Sequence, residues 1–191
     1  MVEKELLKIF KSEQALLSGH FLLSSGLHSG QYMQCALLLQ KPWIAQGLCQ
    51  TLAKKLSGIK VDVVIGPALG GVIVSYEMGR ALKIRSIFAE RVDGTMVLRR
   101  GFSLKKSEKV LVVEDVITTG KSTQEVVKLV KEHGAKLVAV AAIVDRSGGG
   151  AIFDAELFSL LKIGITTYRP EGCPLCGEGR LPVVKPGSRT H

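Results

Sequence analysis

The sequence predicts an α/β protein: a parallel central sheet with helices on both faces. Two observations predict it. Short apolar, β-branched runs such as Val61-Asp-Val-Val-Ile65 and Val110-Leu-Val-Val113 alternate with longer segments of helical spacing. The carboxyl ends of these runs carry Gly66, Glu114 and Arg146, and open parallel sheets collect their ligands at that edge. A length of 191 residues allows one domain, 1–191, with a substantial core. Hydrophobic residues make up 46% and charged residues 23%, an ordinary globular balance.

Each element follows in order. Leu6, Leu7, Phe10 and Leu17 sit near helical spacing, so residues 2–17 are expected to form an amphipathic helix. Residues 20–40 mix Ser/Gly turns with short apolar runs, and residues 1–40 are expected to form a small irregular lobe. Pro42 opens a helix running to about Leu56. Strand 61–65 ends in a Gly/Pro turn and leads to a helix from about Gly71 to Leu82. A short strand follows at Ser86–Ala89. Asp93-Gly94 is a hairpin signal, so residues 90–104 are expected to form a projecting two-stranded arm. Strand 110–113, helix 121–133 closed by Gly134, and strand 137–144 complete a core spanning 60–150. From Pro170 the chain is rich in Gly and Pro without periodicity, which predicts a surface extension over 170–191.

The most informative stretch is Val110-Leu-Val-Val-Glu-Asp-Val-Ile-Thr-Thr-Gly-Lys-Ser-Thr123. Two acids at a strand end and a polar turn opening a helix suit a sugar phosphate. Ionised carboxylates accept from a diol, and the helix start donates N–H groups to a phosphate. Gly120, Lys121 and Ser122 supply the second half of a P-loop, but Asp115 stands where its first glycine belongs. An acid there repels a triphosphate and accepts ribose hydroxyls.

This stretch closely resembles the phosphoribosyl pyrophosphate (PRPP) motif of type I phosphoribosyltransferases. Phe21-Leu-Leu-Ser-Ser-Gly-Leu-His-Ser-Gly-Gln-Tyr32, Asp62-Val-Val-Ile-Gly-Pro-Ala-Leu-Gly-Gly71 and Ile143-Val-Asp-Arg146 narrow the resemblance to the orotate phosphoribosyltransferases. It implies that fold, with a small N-terminal hood (1–40) and a mobile arm. It also implies transfer of the phosphoribosyl group of PRPP to orotate, giving orotidine 5′-monophosphate and pyrophosphate in pyrimidine biosynthesis. Glu114 and Asp115 would take the ribose hydroxyls. Thr118, Thr119, Gly120, Ser122 and Thr123 would hold the 5′-phosphate, and Ala68, Leu69, Gly70 and Gly71 the pyrophosphate; Lys121 stands where the family more often has a small residue and either adds a charge to the phosphate or points to solvent. Arg146 would grip the orotate carboxylate, with Thr118, Tyr32, Met33 and Ser25 around the base. Magnesium would be held mainly by substrate, with no dedicated protein ligand set. The resemblance implies a homodimer whose arm is exchanged between active sites.

The sequence departs from that family where charge is expected. Gly70 and Ser24 stand in place of basic residues, and the arm's further lysine and histidine are absent near Gly94 and Met96. Arg91, Arg99 and Arg100 lie on or beside the arm, and Arg91 aligns with the family's catalytic lysine. The net charge of +9 suits polyanionic substrates. Aromatics are only 5% and no basic block is interleaved with them, so no nucleic-acid partner is expected. No apolar run approaches a membrane span, and the charged N-terminus is not signal-like, which points to a reducing cytoplasm. Cys173-Pro-Leu-Cys176 is half of a metal site, without two further ligands evident among Cys35, Cys49 and His191; a structural turn or thiol pair is the expectation. His20, His28 and His133 show no partner pattern. Two alternatives remain open: the same fold acting on another base such as a purine, and a non-catalytic PRPP-fold regulator that binds RNA.

Overall fold

The computed structural model describes residues 3–23 and 25–186; Ser24 and His191 lie outside the described residues. The chain divides into two compact units, one over 39–163 and one combining the stretches up to 38 and from 164 onward.

The terminal unit begins with α1 (Glu3–Ser12), which buries Leu6 and Phe10. The helix stops five residues short of the expected 17. Gln14 takes a left-handed φ of 56°, and Leu17 instead faces Tyr32 across a ladder. That ladder joins β1 (Leu16–Leu22) to β2 (His28–Met33) in antiparallel register, with an irregularity between Ser18 and Phe21. The region expected to be irregular is thus a hairpin, followed by a short α2 (Ala36–Leu39).

The second unit opens with α3 (Pro42–Lys55), where Pro42 occupies the first turn and needs no N–H partner. Next come β3 (Val63–Pro67), α4 (Gly70–Leu82), β4 (Arg85–Val92) and β5 (Thr95–Val97). They are followed by β6 (Lys109–Ile117), α5 (Lys121–Glu132), β7 (Lys136–Asp145) and β8 (Leu157–Lys162). The six strands run in the order β5-β4-β3-β6-β7-β8. All neighbours are parallel except the edge pair β4 and β5. On one face, Ile65, Val110, Val112 and Val140 pack with Val126 and Val130 of α5. The alternate residues Val64, Leu111, Ala141 and Ile143 are equally buried, and α3 and α4 pack on the same strands. Burial on both faces explains the unbroken apolar runs, and each fully buried Val, Leu or Ile contributes about 1.5–3 kcal/mol.

The turn of the β4–β5 hairpin is Asp93-Gly94, with φ of 48° and 79°, the two left-handed positions that favour Asp-Gly. Its return strand is short. Met96 and Leu104 are buried with the sheet core, and Phe102 meets Phe88 edge-on at 5.1 Å.

The chain returns to the terminal unit through β9 (Thr167–Tyr168), which adds to β2 as a third strand. A 3-10 turn at Pro170–Gly172 and the short α6 (Pro174–Glu178) follow. Cys173 is buried here, and Val184 bridges back to Phe21. No described helix is long and apolar enough to cross a membrane.

Candidate active site

Strand β6 carries the acid pair. Glu114 and Asp115 lie within the strand rather than beyond it, because the ladder to β7 continues through Glu114↔Ala142 to Ile117↔Asp145. Glu114 is buried, and the Thr123 hydroxyl, 3.5 Å away, donates to its Oε2. Burial, then the neighbouring Asp115 carboxylate, pushes the Glu114 carboxyl up from the usual 4.5 to about 9. Burial also raises Asp115, and the two titrate as a pair. Two acids placed where their ionisation is disfavoured make this strand end a candidate ligand site.

The turn after β6 folds into a cleft of about 60 Å³ lined by Glu114 and Val116–Thr123. Thr118, Thr119, Lys121 and Ser122 are exposed there, while Gly120 and Thr123 are buried. Gly120 caps α5 with a left-handed φ of 76°, and a Cβ would stand 3.0 Å from Ala151 Cβ. Conformation and space both require glycine. Gly120 at the N-cap has no side chain to bond the helix start, the Lys121 N–H donates to Thr119 Oγ1 at 3.4 Å, and the first residues of α5 line the cleft, where a helix start suits an anion. A larger groove, about 310 Å³, runs between α5 and residues 152–154. It gathers no acid pair and no helix start, whereas the smaller cleft has Glu114 of the pair and the start of α5.

The loop after β3 packs against Asp115. A Cβ on Gly70 would lie 2.6 Å from the Asp115 carboxylate, so that group sits directly over the start of α4. A Cβ on Gly66 would fall 2.3 Å from the Gly71 carbonyl oxygen. The loop is therefore closed on itself, with a cis Ala68–Leu69 peptide and Leu69 exposed. A basic side chain at position 70 would displace Asp115, which explains the glycine there.

Arg146 leaves β7 immediately after Asp145. Its backbone N–H donates to the Ile117 carbonyl at 2.8 Å, so Thr118 and Arg146 leave neighbouring strands side by side. On the arm, Arg91 donates to the Gly94 carbonyl at 2.7 Å and pairs with Glu125 of α5. Arg100 pairs with Glu90 at 2.7 Å and lies over the Phe88 ring. Glu125 was not anticipated as a partner, since nothing in the sequence links α5 to the arm. Tyr32, Met33 and Ser25 belong to the terminal unit. There Met33 is buried, Ser25 is exposed, and Tyr32 packs on Phe21 with its hydroxyl accepting from Gln34 at 3.4 Å. In the same unit His20 and His28 meet Cys173 and Cys176, a gathering that the sequence did not signal.

The acid pair, glycine loop and helix-start cleft lie in the region that matches a family model described as a phosphoribosyl transferase domain, residues 38–166. The chain is 58% identical over 187 residues to an orotate phosphoribosyltransferase of Carboxydothermus hydrogenoformans, covering 97% of each chain. It is 57% identical over 189 residues to that of Caldicellulosiruptor saccharolyticus, covering 99% of this chain and 98% of the relative. Among solved structures, the orotate phosphoribosyltransferase from Aeropyrum pernix superposes with a TM-score of 0.70 at 27% identity, over 83% of this chain and 93% of that one. Sequence likeness of this extent, carried on the same fold and on an intact ribose-phosphate motif, shows that the chain belongs to the orotate phosphoribosyltransferase family.

Proposed function

We propose that the chain transfers the phosphoribosyl group of PRPP to orotate, giving orotidine 5′-monophosphate and pyrophosphate. The observation that carries this reading is the pair of buried Glu114 and half-buried Asp115, the first lining the α5 cleft and the second packed against the glycine loop. A diol beside two acids and a phosphate at a helix start describe ribose 5-phosphate.

In the reaction the bond from C1′ to pyrophosphate breaks as an orotate ring nitrogen bonds to C1′, and the proton of that ring N–H leaves to the departing pyrophosphate or to water. Such centres pass through an oxocarbenium-like transition state. The protein needs no nucleophile; it positions the two reactants and stabilises the leaving group. Glu114 and Asp115 accept from the ribose hydroxyls, with Thr123 holding Glu114. The N–H groups opening α5 and the hydroxyls of Thr118, Thr119, Ser122 and Thr123 take the 5′-phosphate; Lys121 adds positive charge at the rim. Ala68, Leu69, Gly70 and Gly71 present backbone to the pyrophosphate. Arg146 fixes the carboxylate that orotate has and uracil lacks, beside Thr118.

Arg91 exchanges Glu125 for the departing pyrophosphate and is the catalytic cation. The chain acts as a homodimer, each arm serving the neighbouring site. The oxygen-only chemistry of the acid pair fits magnesium carried on the substrate, which shields pyrophosphate charge when bound. Glu114 and Asp115 would meet such an ion through the ribose hydroxyls and water rather than as a dedicated ligand set.

Orotate consumption with PRPP and magnesium tests the reading, with Arg146→Ala losing discrimination for the carboxylate. RNA binding with a steep salt dependence and no turnover would favour the regulator instead.

A further inference from the structure

We propose that the terminal unit holds a structural zinc ion on His20, His28, Cys173 and Cys176. The four ligand atoms lie within 4.8 Å of one another, the one such group among the described residues. His20 Nε2 is 2.9 Å from His28 Nδ1, 3.5 Å from Cys173 Sγ and 3.6 Å from Cys176 Sγ. Cys176 Sγ is 3.3 Å from His28 Nδ1. Zinc bound tetrahedrally at its usual nitrogen and sulfur distances separates ligand atoms by roughly 3.3–3.8 Å. The three sulfur–nitrogen spacings fall in that range, and the two histidine nitrogens are closer at 2.9 Å.

The surroundings fit a ligand set better than a packing accident. The outer nitrogen of His20, Nδ1, lies 3.3 Å from the Leu181 carbonyl and donates to it, leaving Nε2 as a lone pair aimed into the cluster. Two imidazole nitrogens 2.9 Å apart need a proton or a cation between them. A proton would satisfy the nitrogens alone; two sulfurs converging on the same point call for a cation. Both cysteines are free thiols. Their C-x-x-C turn is set by the N–H groups of Cys176 and Gly177, which both donate to the Cys173 carbonyl, placing both sulfurs on one side. Thiolate and imidazole together select zinc over magnesium. Four protein ligands leave no open position, so the ion would be structural.

Its effect follows from topology. His20 and Cys173 are 153 residues apart, and among the described residues the backbone joins their segments by the two-residue ladder of β9 with β2 and the Val184 bridge to Phe21. An ion here cross-links the N-terminal hairpin to the tail, closing a very long loop. Three ligands are buried and Cys176 is exposed, so a change at Cys176 leaves the packing in place.

The test uses tag-free full-length protein purified under reducing conditions. Elemental analysis is expected to find one zinc per chain. Cobalt added after chelation is expected to give the absorption of a tetrahedral, thiolate-bound ion. Cys176→Ser should weaken zinc binding by at least about a hundredfold, since even outer-shell partners cost ten- to a hundredfold. Chelation should lower the melting temperature of the wild type and leave that of Cys176→Ser unchanged. If the variant does not fold, the cobalt titration of the wild type decides. Wild-type protein with reduced thiols, no stoichiometric zinc and no tetrahedral cobalt spectrum would overturn the proposal.

Discussion

Glu114 shows how the site sets function against stability. Burial raises its pKa to about 9, so the folded protein keeps a proton that the unfolded chain releases near 4.5. Folding stability from this group therefore falls as pH rises between those values. Glu114→Gln removes the burden. In the ligand-free protein it should stabilise the fold near pH 8 by about 1–3 kcal/mol and flatten the loss of melting temperature from pH 5 to 9. The same variant should turn over PRPP poorly. Equal pH dependence of melting in both proteins would contradict the assignment. Arg91 offers a second residue-scale test, because its partner Glu125 ties it to α5. Arg91→Ala should lower kcat by roughly tenfold to a thousandfold with little change in melting, since the ion pair is exposed. An unchanged kcat would remove Arg91 from the chemistry.

At the scale of elements, the glycine loop is the most constrained piece. Gly66→Ala would drive a Cβ into the Gly71 carbonyl, backbone against backbone, and should cost about 1–3 kcal/mol. Gly70→Ala meets first the Asp115 carboxylate, a side chain that can turn away. It should melt near the wild-type temperature while raising KM for PRPP; melting curves and PRPP kinetics separate the two cases. The strands of the core were legible because their apolar runs are buried on both faces. The β6 boundary was not. Glu114 and Asp115 read as a strand end, yet β7 keeps pairing with that backbone as far as Ile117. The β1–β2 hairpin was missed because His28-Ser-Gly-Gln-Tyr-Met33 lacks alternation, and β9 has only two residues. The cradle was legible as a contiguous motif. The His–Cys cluster was not, because hairpin register and tail pairing bring its members together from opposite ends of the chain.

For the whole molecule, a positive net charge, an anion-binding edge and family membership point to one reaction. If each arm serves the neighbouring site of a homodimer, two inactive variants should complement. Mixing Asp115→Asn with Arg91→Ala under exchange conditions should restore roughly a quarter of wild-type activity, since half the dimers are hybrid and each has one intact site. No recovery, with exchange shown by mass, would mean that each chain completes its own site. The central claim rests on turnover itself. The direct measurement is the initial rate of orotate loss with PRPP and magnesium, for wild type and Asp115→Asn. The account predicts PRPP-dependent loss matched by pyrophosphate release, and a fall of at least about a hundredfold in the variant. A folded wild-type protein that binds PRPP and consumes no orotate, or an Asp115→Asn variant with the full rate, would contradict it.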